Sequence, residues 1–377
     1  IISPASAQIT PDTTLDNSPS KVNSQSLNNL LIEGGVKNQS NLFHSFQEFN
    51  INKGQQVFFA NPQGISNIIT RITGNNPSNI NGVLGVNGFA NLFFLNPNGI
   101  IFGKDARLDV NGSFIGSTAE SINFSDGSFF SAIEPNNPAL LKINVPLGLQ
   151  YGNNPAAIQL KQANLQVKPG KTLGLIGGNV SLDNTILKAP GGTIQLGGLL
   201  DSGIVNLNNF KSFSFPQNIK LGDISLTNKS NIEVIADGGG DIFVDANNFD
   251  LDNSNLRAGI RKGLGNKDAV AGNIDIHATG DINLNQNSNI NNILELDSFT
   301  NRIQFQNSNI NNILELDSIG EGGKIDIKSN NFFLKDSNIL TDTESSGNAG
   351  NLTVKAGNKF EIISSPINIT LGGEGRK

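Results

Sequence analysis

His44 and His277 are the only imidazoles in this 377-residue chain, and it has no cysteine. Two histidines so far apart do not build a metal site, and without thiolates neither a zinc cluster nor a disulfide framework is available. Gly170-Lys171-Thr172 has the ending of a phosphate loop, but Leu165 stands where that loop needs its first glycine, so the backbone cradle is incomplete. Gly238-Gly239-Gly240-Asp241 has the look of a calcium-binding β-roll, yet no nine-residue Gly-Asp repeat continues from it. Asp241, Asp245, Asp250 and Asp252 are the residue type that cleaves glycosidic bonds in pairs. They alternate, however, with Ile242, Val244, Phe249 and Leu251, the spacing of the watered face of a strand. The expectation is a chain without catalytic centre, cofactor or metal. A β-helical carbohydrate-active enzyme, lyase or hydrolase, is the alternative, and it requires these acids to meet a base in one groove.

What the chain does hold in quantity is turn chemistry. Ala90 to Gly103 reads ANLFFLNPNGIIFG, two apolar runs joined by Asn96-Pro97-Asn98-Gly99. Proline presets φ at the second turn position and glycine closes the turn, so two short buried strands should meet there. Asn61-Pro62-Gln63-Gly64 repeats the design. Beyond the first turn Ala106, Leu108 and Val110 alternate with Asp105, Arg107 and Asp109, a period of two that belongs to sheet. Arg71 is a lone charge in the apolar block ISNIITRITG, placed either for recognition or to point outward.

A net charge of -6 without a cluster of Lys and Arg excludes a nucleic-acid partner. No apolar run approaches the ~18 residues of a membrane-spanning helix. Pro4-Ala5-Ser6-Ala7-Gln8 carries the small-x-small pattern before a signal-peptidase cut, so residues 1–7 are read as the remnant of an export signal. The ending Gly372 to Lys377 lacks the look of a carboxy-terminal cap.

The blocks NLFHSFQEFN, ISNIITRITG, SNINGVLGVNG, ANLFFLNPNGIIFG and GSFIGSTAESI, in that order, resemble the amino-terminal secretion domain of filamentous-haemagglutinin-like exoproteins. The likeness runs on through LKINVPLGLQYG and LQVKPGKTLGLIGGNVSLDNTILKAPGGTIQLGG, and so spans residues 8–200. It implies the passenger half of a two-partner secretion system, a monomer exported by an outer-membrane β-barrel transporter with periplasmic POTRA domains. Such a chain is secreted or displayed as an adhesin or haemagglutinin, folds outside the cell, and takes a cell-surface or glycan ligand. On that reading Asn96, Pro97, Asn98 and Gly99 serve transporter recognition and folding nucleation, with Asn61, Pro62, Gly64 and Arg71 second. The family's further NPNL-type turn has its nearest counterpart here in Asn61 to Gly64.

Residues 201–377 repeat themselves. Asn287 to Ser298 returns unchanged as Asn307 to Ser318, and Ile242, Val244, Phe249, Leu251 and Leu256 are echoed by Ile325, Ile327, Phe332, Leu334 and Ile339. Gly272-Asn273-Ile274 and Gly350-Asn351-Leu352 open two more alternating units. A spacing near 20 with alternating aliphatics is one coil of a solenoid, whose inner face is buried only by its neighbours. The fold expected is therefore all-β: a right-handed parallel β-helix with an amino-terminal β cap that covers the first coil's open edge. Stacked asparagine amides should bond from rung to rung.

Overall fold

A computed structural model describes residues 9–15, 18–136, 145–261, 263–285, 309–314, 319–343 and 350–363. Three columns of parallel strands wind around one core. The first runs through Asn41–Phe49, Asn67–Ile72, Asn91–Leu95, Phe114–Ser117, Thr172–Gly177, Thr193–Gly198, Asp241–Ala246 and Ile274–Ala278 into the starts of Ile325–Lys335 and Leu352–Ile363. The second carries Ser78–Ile80, Ile100–Phe102, Ile158–Lys161, Val180–Asp183, Ile224–Thr227, Phe249–Asp252 and Asp281–Asn285. Asn29–Gly34, Gln56–Ala60, Val83–Asn87 and Arg107–Asp109 begin the third, which ends on Asn309–Leu314 and Asn338–Thr343. This is a parallel β-helix.

Register explains the packing. Leu42, Ile68, Leu92 and Phe114 stack in order, as do Leu173 and Ile194, so a coil without insertions takes roughly 21 to 26 residues. Along the first column Ile194, Ile242, Ile274 and Ile325 stand one above another with no exposure. The sequence echo is structural: Ile242 and Ile325 flank Ile274, Phe249 and Phe332 flank Ile282, and Leu256 and Ile339 flank Ile310. Echoed residues thus share a column two rungs apart. Of the exact duplication, Asn287 to Ser298 lies outside the described residues, while Asn309–Leu314 of the second copy is a third-column strand.

Antiparallel strands close the amino-terminal end. Ile9–Pro11 pairs with the end of Asn41–Phe49, Val36–Asn38 with its start, and Ser20–Ser26 with Asn29–Gly34. A second antiparallel sheet, Ser121–Phe124, Phe129–Ser131, Pro146–Tyr151 and Gly203–Asn206, lies outside the helix. It covers the outer side of the first column, where Phe43, Ile69, Phe93 and Ile115 meet Phe124, Phe130, Leu149 and Tyr151 in a second core. The first column is therefore apolar on both sides in its early rungs, which is why its sequence there does not alternate.

Candidate recognition and nucleation site

Asn96 ends the first-column strand Asn91–Leu95, and Gly99 precedes the second-column strand Ile100–Phe102. The Asn96 side chain is completely buried. Its Nδ2 donates to the Asn76 carbonyl and to Ser78 Oγ, each at 3.0 Å, in the coil before. Its Oδ1 accepts the Asn98 amide at 2.9 Å, and its own amide donates to Ser117 O at 2.9 Å in the coil after. Gly99 donates to the Asn96 carbonyl at 3.1 Å, and Asn98 Nδ2 reaches Gly74 O at 2.7 Å. Gly99 has φ +114°, and a Cβ there would stand 3.1 Å from the Ala157 carbonyl, so the position suits glycine alone. One asparagine, through its side chain and its backbone amide together, thus ties three successive coils. Of the turn's residues only Asn98 is exposed.

The turn Asn61 to Gly64 occupies a different corner, between the third-column strand Gln56–Ala60 and the first-column strand Asn67–Ile72. Pro62, Gln63 and Gly64 are exposed. Ile65 donates to Pro62 O at 3.2 Å, and Lys37 Nζ reaches Gln63 O at 3.0 Å. The two turns share local design but not environment.

Arg71 does not point outward; at 2% exposure it is the largest fully buried side chain described. Nε donates to Ser45 Oγ at 2.9 Å, Nη1 to Ser131 O at 2.6 Å, and Nη2 to Thr14 Oγ1 at 2.8 Å and Pro135 O at 2.9 Å. The guanidinium lies 4.1 Å above the Phe130 ring. Asp12 accepts from Ser45, Thr73 and Thr14 hydroxyls at 2.6 to 2.7 Å, so the two charges communicate through shared hydroxyls. Burial pushes the guanidinium down to about 10, against the pull of Asp12. Burial also raises the Asp12 carboxyl, but the hydrogen bonds from Ser45, Thr73 and Thr14 outweigh it and leave the group below its ordinary value. Chain segments some sixty residues apart meet at this cation. Arg71 and Asn96 each hold coils together, yet share none of these bonds.

With the family model of the two-partner secretion (TPS) domain, residues 7–244 match. The chain belongs to the TPS secretion domain family. The TPS chain is similar in structure to the HMW1 secretion domain from Haemophilus influenzae, with a TM-score of 0.54 at 18% identity over 96% of this chain and 98% of that one. That likeness shows a common fold. A filamentous hemagglutinin secretion domain aligns at a TM-score of 0.34 and 13% identity, over 96% of this chain and 100% of that one. No curated protein matches by sequence. Membership makes this a secreted protein, exported across an outer membrane by a partner transporter, and TPS secretion domains as a class are non-catalytic.

The four acids of the rival reading are divided in this TPS chain between two columns. Asp241 and Asp245 lie on the first, Asp250 and Asp252 on the second. Asp241 accepts the Asn273 amide at 2.7 Å and Asp250 the Asn283 side chain at 2.8 Å. His44 is fully buried, its Nδ1 3.1 Å from Ser20 Oγ, and burial pushes it down to about 3. His277 is half-exposed and lies 3.5 Å from Asp245, whose hydrogen bond raises it. Sequence reading missed Asp12, Thr14 and Ser45 because each is unremarkable in its own strand. It missed Tyr151, whose hydroxyl bonds Ser117 Oγ at 2.6 Å and Ile176 O at 3.0 Å. A lone tyrosine in a chain of phenylalanines was the available signal.

Proposed function

We propose that the transporter's POTRA domains read the Asn96 to Gly99 turn in the unfolded chain, and that the same turn then nucleates folding outside the cell. The observation that carries this is the burial of Asn96 among three coils: the amide is available to a partner only before those coils close. Reading and release then need no separate signal. Folding hides the recognised group, and each coil added outside opposes return through the barrel. Asn61, Pro62 and Gly64 remain on the surface and act as an auxiliary contact, while Arg71 locks the cap once residues through Pro135 have emerged. Residues 1–7 are the trace of the export signal, residues 8–200 the secretion module, and residues 201–377 the part presented to the surroundings. The exported monomer is a non-catalytic surface adhesin with a cell-surface or glycan ligand.

The test is secretion, with an export signal attached, from cells with and without the partner barrel, for the wild type, Asn96→Ala and Pro62→Ala. The wild type should appear outside only with the barrel, Asn96→Ala should be retained, and Pro62→Ala should be secreted at reduced yield. Equal release without the barrel overturns transport by the partner. Full secretion of Asn96→Ala overturns the role of the turn.

A further inference from the structure

The segment from Phe213 to Leu221 returns from the outer sheet as a strap across the outside of the first column. Beneath it lies a groove of about 480 Å³, within the range of small-ligand sites. Phe215, Pro216 and Ile219 line it from the strap beside the polar Ser214, Gln217 and Asn218; Asp245, His277 and Thr279, from two successive rungs, line it from the column. The strap is seated firmly, because the Phe215 ring lies on Gly197, where a Cβ would come within 2.2 Å of its Cζ.

Gln195 builds the polar wall. Fully buried, it accepts the Phe213 amide on Oε1 at 3.1 Å and donates Nε2 to Asp245 Oδ2 at 3.0 Å. One amide therefore holds both the strap and the carboxylate. Asp245 Oδ1 faces His277 Nδ1 at 3.5 Å, and Nε2 of that ring has no protein partner among the described residues. A wholly apolar ligand would strip water from this pair without replacing its hydrogen bonds. An anion would meet Asp245 directly, and the cation one rung beyond His277, Lys328, is already paired with Asp326. A ligand with one C–H face and one hydroxyl face satisfies both walls, stacking on the aromatic side and donating hydroxyls to the carboxylate.

We propose that this groove binds a neutral hexose unit of a glycan, its C–H face on Phe215 and Pro216 and its hydroxyls on Asp245 and His277. The proposal rests on the reading of the exported chain as a glycan-binding adhesin and gives that reading a location.

Saturation-transfer NMR on the purified folded chain tests it with lactose, maltose, cellobiose and mannobiose as neutral probes and sialyllactose as the anionic one. Transfer should reach the ring C–H protons of at least one neutral disaccharide. Phe215→Ala and Asp245→Asn should each weaken it at least tenfold with the β-sheet circular dichroism unchanged, and Phe215→Tyr should restore it. No transfer to any neutral disaccharide, preference for sialyllactose, or undiminished transfer in both variants overturns the groove. Adhesion of the same proteins to glycan-coated surfaces separates the two failures. Adhesion that persists in both variants removes the groove and leaves the adhesin reading standing, whereas absence of adhesion by the wild type removes both.

Discussion

The early and late rungs of the first column follow the same backbone path in different surroundings. Asn67–Ile72 and Asn91–Leu95 have a core on either side, whereas Asp241–Ala246 and Ile274–Ala278 have a core inside and a partly open outer face that the Phe213 to Leu221 strap crosses at Asp245 and His277. Polar side chains in the early rungs must therefore be bonded within the protein. Most are: Arg71 by four donors, Asn96 by its ties to neighbouring coils, and the ladder Asn41, Asn67, Asn91, whose amides bond at 2.9 Å from rung to rung; among the described residues Thr70 Oγ1 and His44 Nε2 are buried there without a partner. In the late rungs the outward residues pair nearer the surface, His277 with Asp245, which buried Gln195 also holds, and Lys328 with Asp326. A stack of aliphatics accepts many neighbours, but a bonded polar network accepts one register. The amino-terminal part thus specifies where the helix starts, and the later part extends it.

Four expected outcomes bear on that contrast. Arg71→Ala leaves Asp12 and several acceptors without their cation and should cost about 3–5 kcal/mol. The comparison residue, Lys328, pairs with Asp326 at 3.0 Å while half-exposed, so Lys328→Ala should stay within about 1 kcal/mol. Urea denaturation checks both, and near-equal losses would break the contrast. Asn96→Ala should cost about 2–3 kcal/mol, since it unpairs buried groups, against about 0.5 kcal/mol or less for exposed Pro62→Ala; the same denaturation curves distinguish them.

Acid should act in opposite senses on the two regions. His44 stays neutral in the folded cap down to about pH 3, while the unfolded chain takes up a proton near the ordinary value of 6.5. Stability therefore falls as the pH drops below that value, by about 2 kcal/mol at pH 5, and lowered Asp12 adds to the loss once the pH falls through the carboxylate range. In the late rungs His277 is raised by its bond to Asp245, so its contribution is present below 6.5 and lost as the pH climbs through its folded value. Asp275, raised by burial and by Asp326 and Asp241, likewise favours the folded rungs as the pH falls. Tyr151, the only tyrosine in a chain without tryptophan, reports the second core against the early rungs by fluorescence, and hydrogen exchange over 274–278 reports the repeats. The smallest effect expected is that of His277→Asn, which should flatten only the late-rung pH response; a change in the Tyr151 transition would mean that the two regions unfold as one.

Several features were legible along the chain. The turn Asn96 to Gly99 and its flanking strands follow from Pro97, Gly99 and the apolar runs beside them, and the echo of Ile242, Phe249 and Leu256 marked true columns. Arg71 was not legible, because its partners Thr14, Ser131 and Pro135 carry no mark of the encounter in their own neighbourhoods. Nor was the outer sheet, since an apolar run buried on two sides looks the same whichever layer supplies the second.

Strand, turn and repeat are local properties: they depend on φ preferences and on the alternation of side chains across a pleat, which neighbouring residues determine by themselves. Only the closed structure decided that Asn96 would be hidden and Pro62 left in water, that a cation would sit between two sheets, and that a strap would face Asp245 across a groove. Burial and pairing at these places depend on segments that meet after long loops close, and no local preference encodes which ones they are.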